Sequence, residues 1–321
     1  MLVPASIEKI WGGERLKKDY FKKSLAEPLA ESWECSTHPD GLSYISDGEY
    51  KGLSLLEVLN NNPEFLGEHF KNTSKLPILV KFIDAQNKLS IQVHPDDNYA
   101  KENENGSLGK YEMWYVLDAK EDASLIFGLH HKVDKSDIIR ALENDAIEKY
   151  TQNIKVKRGD VFFVKPGTIH AIGAGILIVE IQQNSNLTYR LFDYNRFDKN
   201  GKKRELHIKK ALDVADFTES PEPRQPMRIL KYSPGCAKEL LCVCRYFKVE
   251  RLIINSDNGN NYCFSTSRIS FEVFLCIDGN GIFQFGSKKI INFRKGDCVF
   301  IPANSVSIVI NGKAEFLTIS C

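Results

Sequence analysis

Three separate segments of this 321-residue chain bring together the side chains that hold metal ions through nitrogen and oxygen. The first is Ile91-Gln92-Val93-His94-Pro95-Asp96-Asp97. Alternate residues of a strand face the same side, so Gln92 and His94 point together and Ile91 and Val93 point the other way. Taken alone, that pattern equally describes a polar face on an edge strand. The second segment is Lys110-Tyr111-Glu112-Met113-Trp114-Tyr115-Val116-Leu117. Glu112 shares parity with Trp114 and Val116. If that face is inward, a carboxylate lies in an apolar interior, where it needs a cation or a metal. If it is outward, Tyr111, Met113 and Tyr115 are the core; both faces are apolar enough to fit either arrangement. The third is Pro166-Gly167-Thr168-Ile169-His170-Ala171-Ile172, with His170 among aliphatic residues just after a turn. A single histidine in such a setting is more often a hydrogen-bonded core residue than a ligand.

Together the segments supply two imidazoles, a carboxylate and an amide oxygen, with no thiolate. Such a set suits a catalytic divalent ion of the first transition row better than a structural zinc site, which favours cysteine. Arg190, in the strand-like run Thr188-Tyr189-Arg190-Leu191-Phe192, either extends outward to water or supplies a fixed cation to a cavity.

These groups must be carried by strands. Short apolar runs ending in Gly, Asp, Asn or Pro clusters recur at 77–83, 89–93, 112–117, 161–164, 176–182 and 299–302. Helical spacing appears in 53–66, starting near Ser54 and broken at Pro63. It appears again in 135–148, with Ser136 as the expected N-cap, and in 206–214. One segment repeats: Gly159-Asp160-Val161-Phe162-Phe163-Val164 returns as Gly296-Asp297-Cys298-Val299-Phe300-Ile301. Each is a Gly-Asp turn, a strand and then a proline. Aligned on the glycines, His170 falls opposite Ser307. The expectation is two related barrels joined by the proline-bearing stretch 216–226, with domains at 1–226 and 227–321 and a potential ligand set only in the first.

Composition narrows the function. Forty-three basic residues balance 42 acidic ones, which argues against a nucleic-acid binder working through a broad basic face. No apolar run reaches the roughly 18 residues of a membrane span, and the first residues contain no signal-peptide core, so a cytoplasmic protein is expected. All seven histidines occur by position 207, whereas seven of the eight cysteines lie beyond 235. No CxxC pair occurs, so the cysteines read as buried, reduced thiols.

The segments Ile10-Trp11-Gly12-Gly13, Glu31-Ser32-Trp33-Glu34, Leu89 to Asp97, Gly109-Lys110 with Glu112, Gly167 to Gly173 and Gln183-Asn184-Ser185 with Thr188-Tyr189-Arg190 occur in order. On these motifs the chain resembles, nearly end to end, the type I phosphomannose isomerases of the short bacterial kind, also called mannose-6-phosphate isomerases. The resemblance implies a mainly β fold of tandem cupin (double-stranded β-helix) barrels with a few short helices. It implies one Zn2+ per chain, held by Gln92, His94, Glu112 and His170. Arg190 is implied as a catalytic or substrate-orienting residue and Lys110 as a cavity lysine. The implied reaction interconverts mannose 6-phosphate and fructose 6-phosphate by proton transfer through a cis-enediol. The implied partner is therefore a small sugar phosphate, with Lys81 or Lys165 as further contacts for its phosphate. Relatives usually place proline directly after the strand where this chain has Lys165-Pro166, and often carry a small hydroxyl residue at position 111, where it has tyrosine. The first departure is expected to alter the turn before His170 and the second a cavity wall. Two alternatives share the ligand set: a cupin dioxygenase using Fe(II), and a non-catalytic sugar-phosphate-binding regulator.

Overall fold

A computed structural model describes all residues of the chain except 71, 72, 74, 199, 226, 227, 258, 287 and 288. The expected boundary at 226/227 lies outside the described residues. Strands dominate, and every pairing between them is antiparallel.

Two facing sheets form the first barrel. The larger runs in the order Val161–Val164, Glu112–Ala119, Ile176–Gln183, Ile78–Ala85, Leu29–Cys35 and Ala5–Gly13. The smaller runs Thr151–Lys155, Ser124–Leu129, His170–Ala171, Ile91–Val93 and Tyr189–Phe192. A third sheet is built entirely from residues beyond 229. Its longest strands, Glu272–Phe285 and Ile308–Ser320, pair along most of their length.

The Ile78–Ala85 and Ile176–Gln183 strands are buried on both faces. On the inward face, Ile83, Trp114, Val116, Ile176 and Ile178 fill the first barrel. On the other face, Val80, Phe82, Met113, Tyr115, Val179 and Ile181 pack against Val249, Val273, Leu275, Leu317 and Ile319 of the third sheet. The ambiguity at Glu112 is thereby resolved: its face is inward, and the opposite face is core as well. A strand buried on both sides shows no polar alternation.

The repeated hexapeptide makes the same turn twice. Gly159 and Gly296 have φ of +89° and +94°, a region open to glycine at no steric cost. Asp160 accepts from the Lys157 amide at 3.0 Å and Asp297 from the Arg294 amide at 2.9 Å. The strand that follows pairs with Glu112–Ala119 in one half and with Glu272–Phe285 in the other, so that Val164 lies opposite Glu112 and Ile301 opposite Glu272. Each turn is also held by the opposite half. Arg228 donates to the Gly159 carbonyl at 2.9 Å, and the Lys22 ammonium to that of Gly296.

The helices follow the expected pattern with one correction. Ser54 and Glu57 form a reciprocal capping box for Leu55–Asn61, and Pro63 opens a separate 3-10 turn. The next helix, Lys135–Glu143, has Asp134 and not Ser136 at its N-cap position, without a side-chain capping hydrogen bond. Asp134 takes the extended cap conformation one residue before the helix, which leaves Ser136 inside the first turn. The third helical segment is Ile208–Val214. The stretch expected as a linker is tied down: the Asp216 amide donates to Gly167 at 2.8 Å, and the Gln225 amide to Val161 at 2.9 Å. All eight cysteines are free, but Cys263 is exposed, against the expectation of buried thiols. Among the described residues no helix is long and apolar enough to cross a membrane.

Candidate metal centre

The smaller sheet places three of the expected residues in one row. His170 is paired with Gln92, and Gln92 with Arg190. Directly paired residues of antiparallel strands present their side chains to the same face. His94 follows the Ile91–Val93 strand. The larger sheet contributes Glu112, the first residue of its strand, flanked by Val164 and Gln182.

His94, Glu112 and His170 are fully buried, and each offers one ligand atom within 4.8 Å of the others. His94 Nε2 is 3.1 Å from Glu112 Oε1, and His170 Nε2 is 3.8 Å from Glu112 Oε2. The imidazole centroids are 4.8 Å apart. Trp114 meets the His170 ring edge-on at 5.4 Å. His170 Nδ1 lies 2.8 Å from the Thr168 carbonyl. Donation of Nδ1–H to that oxygen leaves the Nε2 lone pair directed at the cluster. His94 Nδ1, His170 Nε2 and Glu112 Oε2 lack a hydrogen-bond partner. Buried polar atoms left in this way are rare, and a bound ion is one of the few reasons for them. Backbone hydrogen bonds close the turn at Lys165-Pro166 and tie it to His94. Thr168 closes the turn onto the Lys165 carbonyl at 3.1 Å, and Gly167 donates to the His94 carbonyl at 3.0 Å.

The electrostatics suit a cation. Burial, and then the positive charge of Lys110, pushes the His94 imidazole down to about 3. Burial likewise lowers His170. Burial alone would raise Glu112, but Lys110 and His94 beside it outweigh that and hold the carboxyl well below its ordinary value. Neutral imidazoles and an ionised carboxylate are the protonation states a divalent ion requires.

Lys110 reaches the cluster from the opposite side. Its ammonium is 2.6 Å from Glu112 Oε1 and 3.4 Å from His94 Nε2. Beside the cluster opens a cavity of about 350 Å³, whose walls include Gln92, Lys110 and Arg190. Arg190 thus supplies a cation to the cavity. Its Nε is buried without a partner, and burial followed by the nearby Arg204 lowers its proton affinity.

The same walls contain a charged network that sequence reasoning largely missed. Lys81 lies 3.2 Å from Glu180 and 3.6 Å from Glu31, beneath the Trp33 ring. Trp114 donates to Glu180 at 3.0 Å and Trp33 to Glu31 at 2.7 Å. A lone charge inside each of the apolar runs 78–83 and 176–181 was the available signal. His207 and Lys210 also line the cavity. Two expectations fail. Lys165 is exposed and takes no part in the cavity wall. Tyr111 faces away from the cavity, its ring tilted against Tyr246 at 5.0 Å and Phe163 at 6.0 Å. The strand parity that turns Glu112 inward turns Tyr111 outward.

The family model for the catalytic domain of type I phosphomannose isomerase matches residues 1–146. A mannose-6-phosphate isomerase of Streptococcus mutans is 44% identical over 310 residues, covering 97% of this chain and 94% of that protein. A mannose-6-phosphate isomerase of Bacillus subtilis is 35% identical over 312 residues, covering 97% and 95%. The crystal structure of the mannose 6-phosphate isomerase from Bacillus subtilis has a TM-score of 0.90 at 34% identity, over 99% of this chain and 98% of that one. With such identity over nearly its whole length, this chain belongs to the type I phosphomannose isomerase family.

Proposed function

We propose that the protein is a zinc-dependent aldose–ketose isomerase that interconverts mannose 6-phosphate and fructose 6-phosphate through a cis-enediol. The observation that carries this is the buried His94–Glu112–His170 cluster, joined through the Lys110–Glu112 contact to the wall of a polar cavity, in a chain of this family. Gln92, His94, Glu112 and His170 would hold the ion. Two imidazoles, a carboxylate and an amide are donors that catalytic zinc accepts while leaving positions open. The orphaned ligand atoms fit that role. When bound, such an ion supplies a Lewis acid and a template for the two sugar oxygens.

The chain's own residues do the rest. Lys110 and Arg190 offer fixed positive charge to the enediolate in a site screened from water. Arg190 has an Nε free to donate, and Lys110 is held at the cluster by Glu112. Among the cavity carboxyls, Glu180 is pushed up by burial and by Glu112, the direction that favours its protonated form. Glu31 is held down: burial opposes this, but Lys81 and the Trp33 indole prevail. This chemistry is assigned to residues 1–226, with 227–321 as a barrel that supports them. The reaction is placed in the cytoplasm, consistent with the absence of a membrane-crossing helix among the described residues.

The test is a coupled assay of mannose 6-phosphate isomerisation with and without a chelator. Turnover that disappears on chelation and returns with zinc is expected. Full metal occupancy without turnover would favour a sugar-phosphate-binding regulator. Iron in the purified protein with substrate-dependent oxygen uptake would favour a dioxygenase.

A further inference from the structure

The Lys110 segment is held by both halves of the molecule. Its backbone is pinned on one side to the start of the Asp97–Asn103 helix. The Gly109 amide donates to Asp97 Oδ1 at 2.9 Å, and the Lys110 amide to the Pro95 carbonyl at 3.0 Å. The packing is close enough that a Cβ at Gly109 would lie 2.4 Å from the Asp96 carbonyl carbon. On the other side, the Tyr111 amide donates to Gln183 Oε1 at 3.0 Å, and Gln183 Nε2 donates to Asp97 Oδ1 at 3.0 Å. Asp97 therefore ties the glycine before Lys110 to the glutamine behind it.

The remaining oxygen of Asp97 is taken by the C-terminal half. The Tyr246 hydroxyl donates to Asp97 Oδ2 at 2.6 Å, and Arg245 Nη2 reaches the same oxygen at 2.7 Å. Tyr246 also packs its ring, tilted, against Tyr111, while the Arg245 guanidinium lies over the Tyr246 ring. These two residues occupy the turn between the Cys236–Val243 and Lys248–Asn255 strands. Neither lines the cavity.

We infer that Tyr246 and Asp97 are positioning residues for Lys110, so that the C-terminal half sets the geometry of a reaction it does not touch. This rests on the proposed role of Lys110 in the isomerisation. Asp97 binds three donors besides the Gly109 amide, so its orientation, and through it the height of the Gly109–Lys110 backbone, depends on Tyr246. The Lys110 ammonium meets Glu112 at 2.6 Å, and a shift of a fraction of an ångström is enough to misalign such a contact.

A double-mutant cycle in the zinc-loaded full chain tests this. Tyr246→Phe removes one hydroxyl and keeps the ring packed against Tyr111. It is expected to lower kcat for mannose 6-phosphate about tenfold, with KM, zinc content and melting temperature near those of the parent. In a Lys110→Met background the same change is expected to have no further effect on kcat. Asp97→Asn, which keeps the shape but weakens the hold on all four donors, is expected to behave in the same way with a larger loss. An unchanged kcat in Tyr246→Phe, or an equal loss with and without Lys110, would overturn the positioning role. If Lys110→Met itself leaves kcat unchanged, the assignment of Lys110 fails first, and the inference falls with it.

Discussion

Replacing Glu112 with glutamine keeps the shape of the side chain and removes the one negative charge in the centre of the cluster. Among the described residues, Glu112 is the only carboxylate within ion-pair range of Lys110, which is 4% exposed. At the observed 2.6 Å, an effective dielectric near 20 gives a Coulomb attraction of roughly 6 kcal/mol, part of which offsets the desolvation of both charges. Removing one partner of a buried pair leaves the other uncompensated and costs about 3–5 kcal/mol. Metal-free Glu112→Gln should therefore unfold at a urea midpoint lower by roughly 1–2 M, for an m-value near 3 kcal/mol/M. The double variant Lys110→Met/Glu112→Gln should recover most of that loss, because no buried charge is then left alone. Elemental analysis adds an independent readout: the single variant should lose its zinc. An unchanged midpoint, or a double variant weaker than the single, would refute the electrostatic reasoning. Stoichiometric zinc in Glu112→Gln would refute its place among the ligands.

Acid should destabilise the metal-free protein early. Burial holds His94 at about 3, below its ordinary 6.5, and lowers His170 as well, so below about pH 6.5 the unfolded chain binds protons that the folded chain refuses. Stability is then complete above pH 6.5 and is lost as pH falls toward the folded values, at up to about 1.4 kcal/mol per pH unit for each imidazole. A melting temperature that stays level from pH 7 to pH 5 would contradict this. Arg190→Ala should lower kcat by about 10²–10³-fold, as loss of one preorganised donor does, and leave zinc in place. Zinc loss in that variant would make its role structural. Lys22→Met removes a cation that meets Glu34 at 2.7 Å and binds the Gly296 carbonyl. Burial pushes the Glu34 carboxyl up in spite of Lys22. The expected loss is about 3 kcal/mol, the low end for removing one partner of a buried pair. Chemical denaturation showing no loss would remove Lys22 from the tie between halves.

The site was legible in the sequence to the extent that its residues lie on strands with a readable period. Gln92 and His94 alternate with Ile91 and Val93, and the structure turns the polar pair inward. Glu112 could not be oriented from pattern, because Met113 and Tyr115 on its other face are buried against a second sheet. The Gly-Asp repeat marked two turns of the same geometry, since a glycine at positive φ and an aspartate accepting from the residue three before it are local requirements. The Glu31–Lys81–Glu180 network was mostly hidden: Lys81 and Glu180 each look like an isolated exception in an apolar run, and only their pairing across neighbouring strands and the reach of Lys81 to Glu31 join the three. The reach of Tyr246 to Asp97 spans 149 positions and leaves no local trace. Asp134 took the N-cap position expected of Ser136, and the helix began two residues earlier than that cap placed it.

The exchange of cations at the two repeated turns acts as a pair of locating pins. Arg228 engages one glycine carbonyl and Lys22 the other, each from across the seam. Two pins fix rotation as well as separation, which an apolar face alone, being non-directional, does not. Fragments cut within 216–225 would therefore have to reassemble in a single orientation to regain activity. A graft of the second barrel from a relative would need both cations matched before its Tyr246 equivalent could find the aspartate.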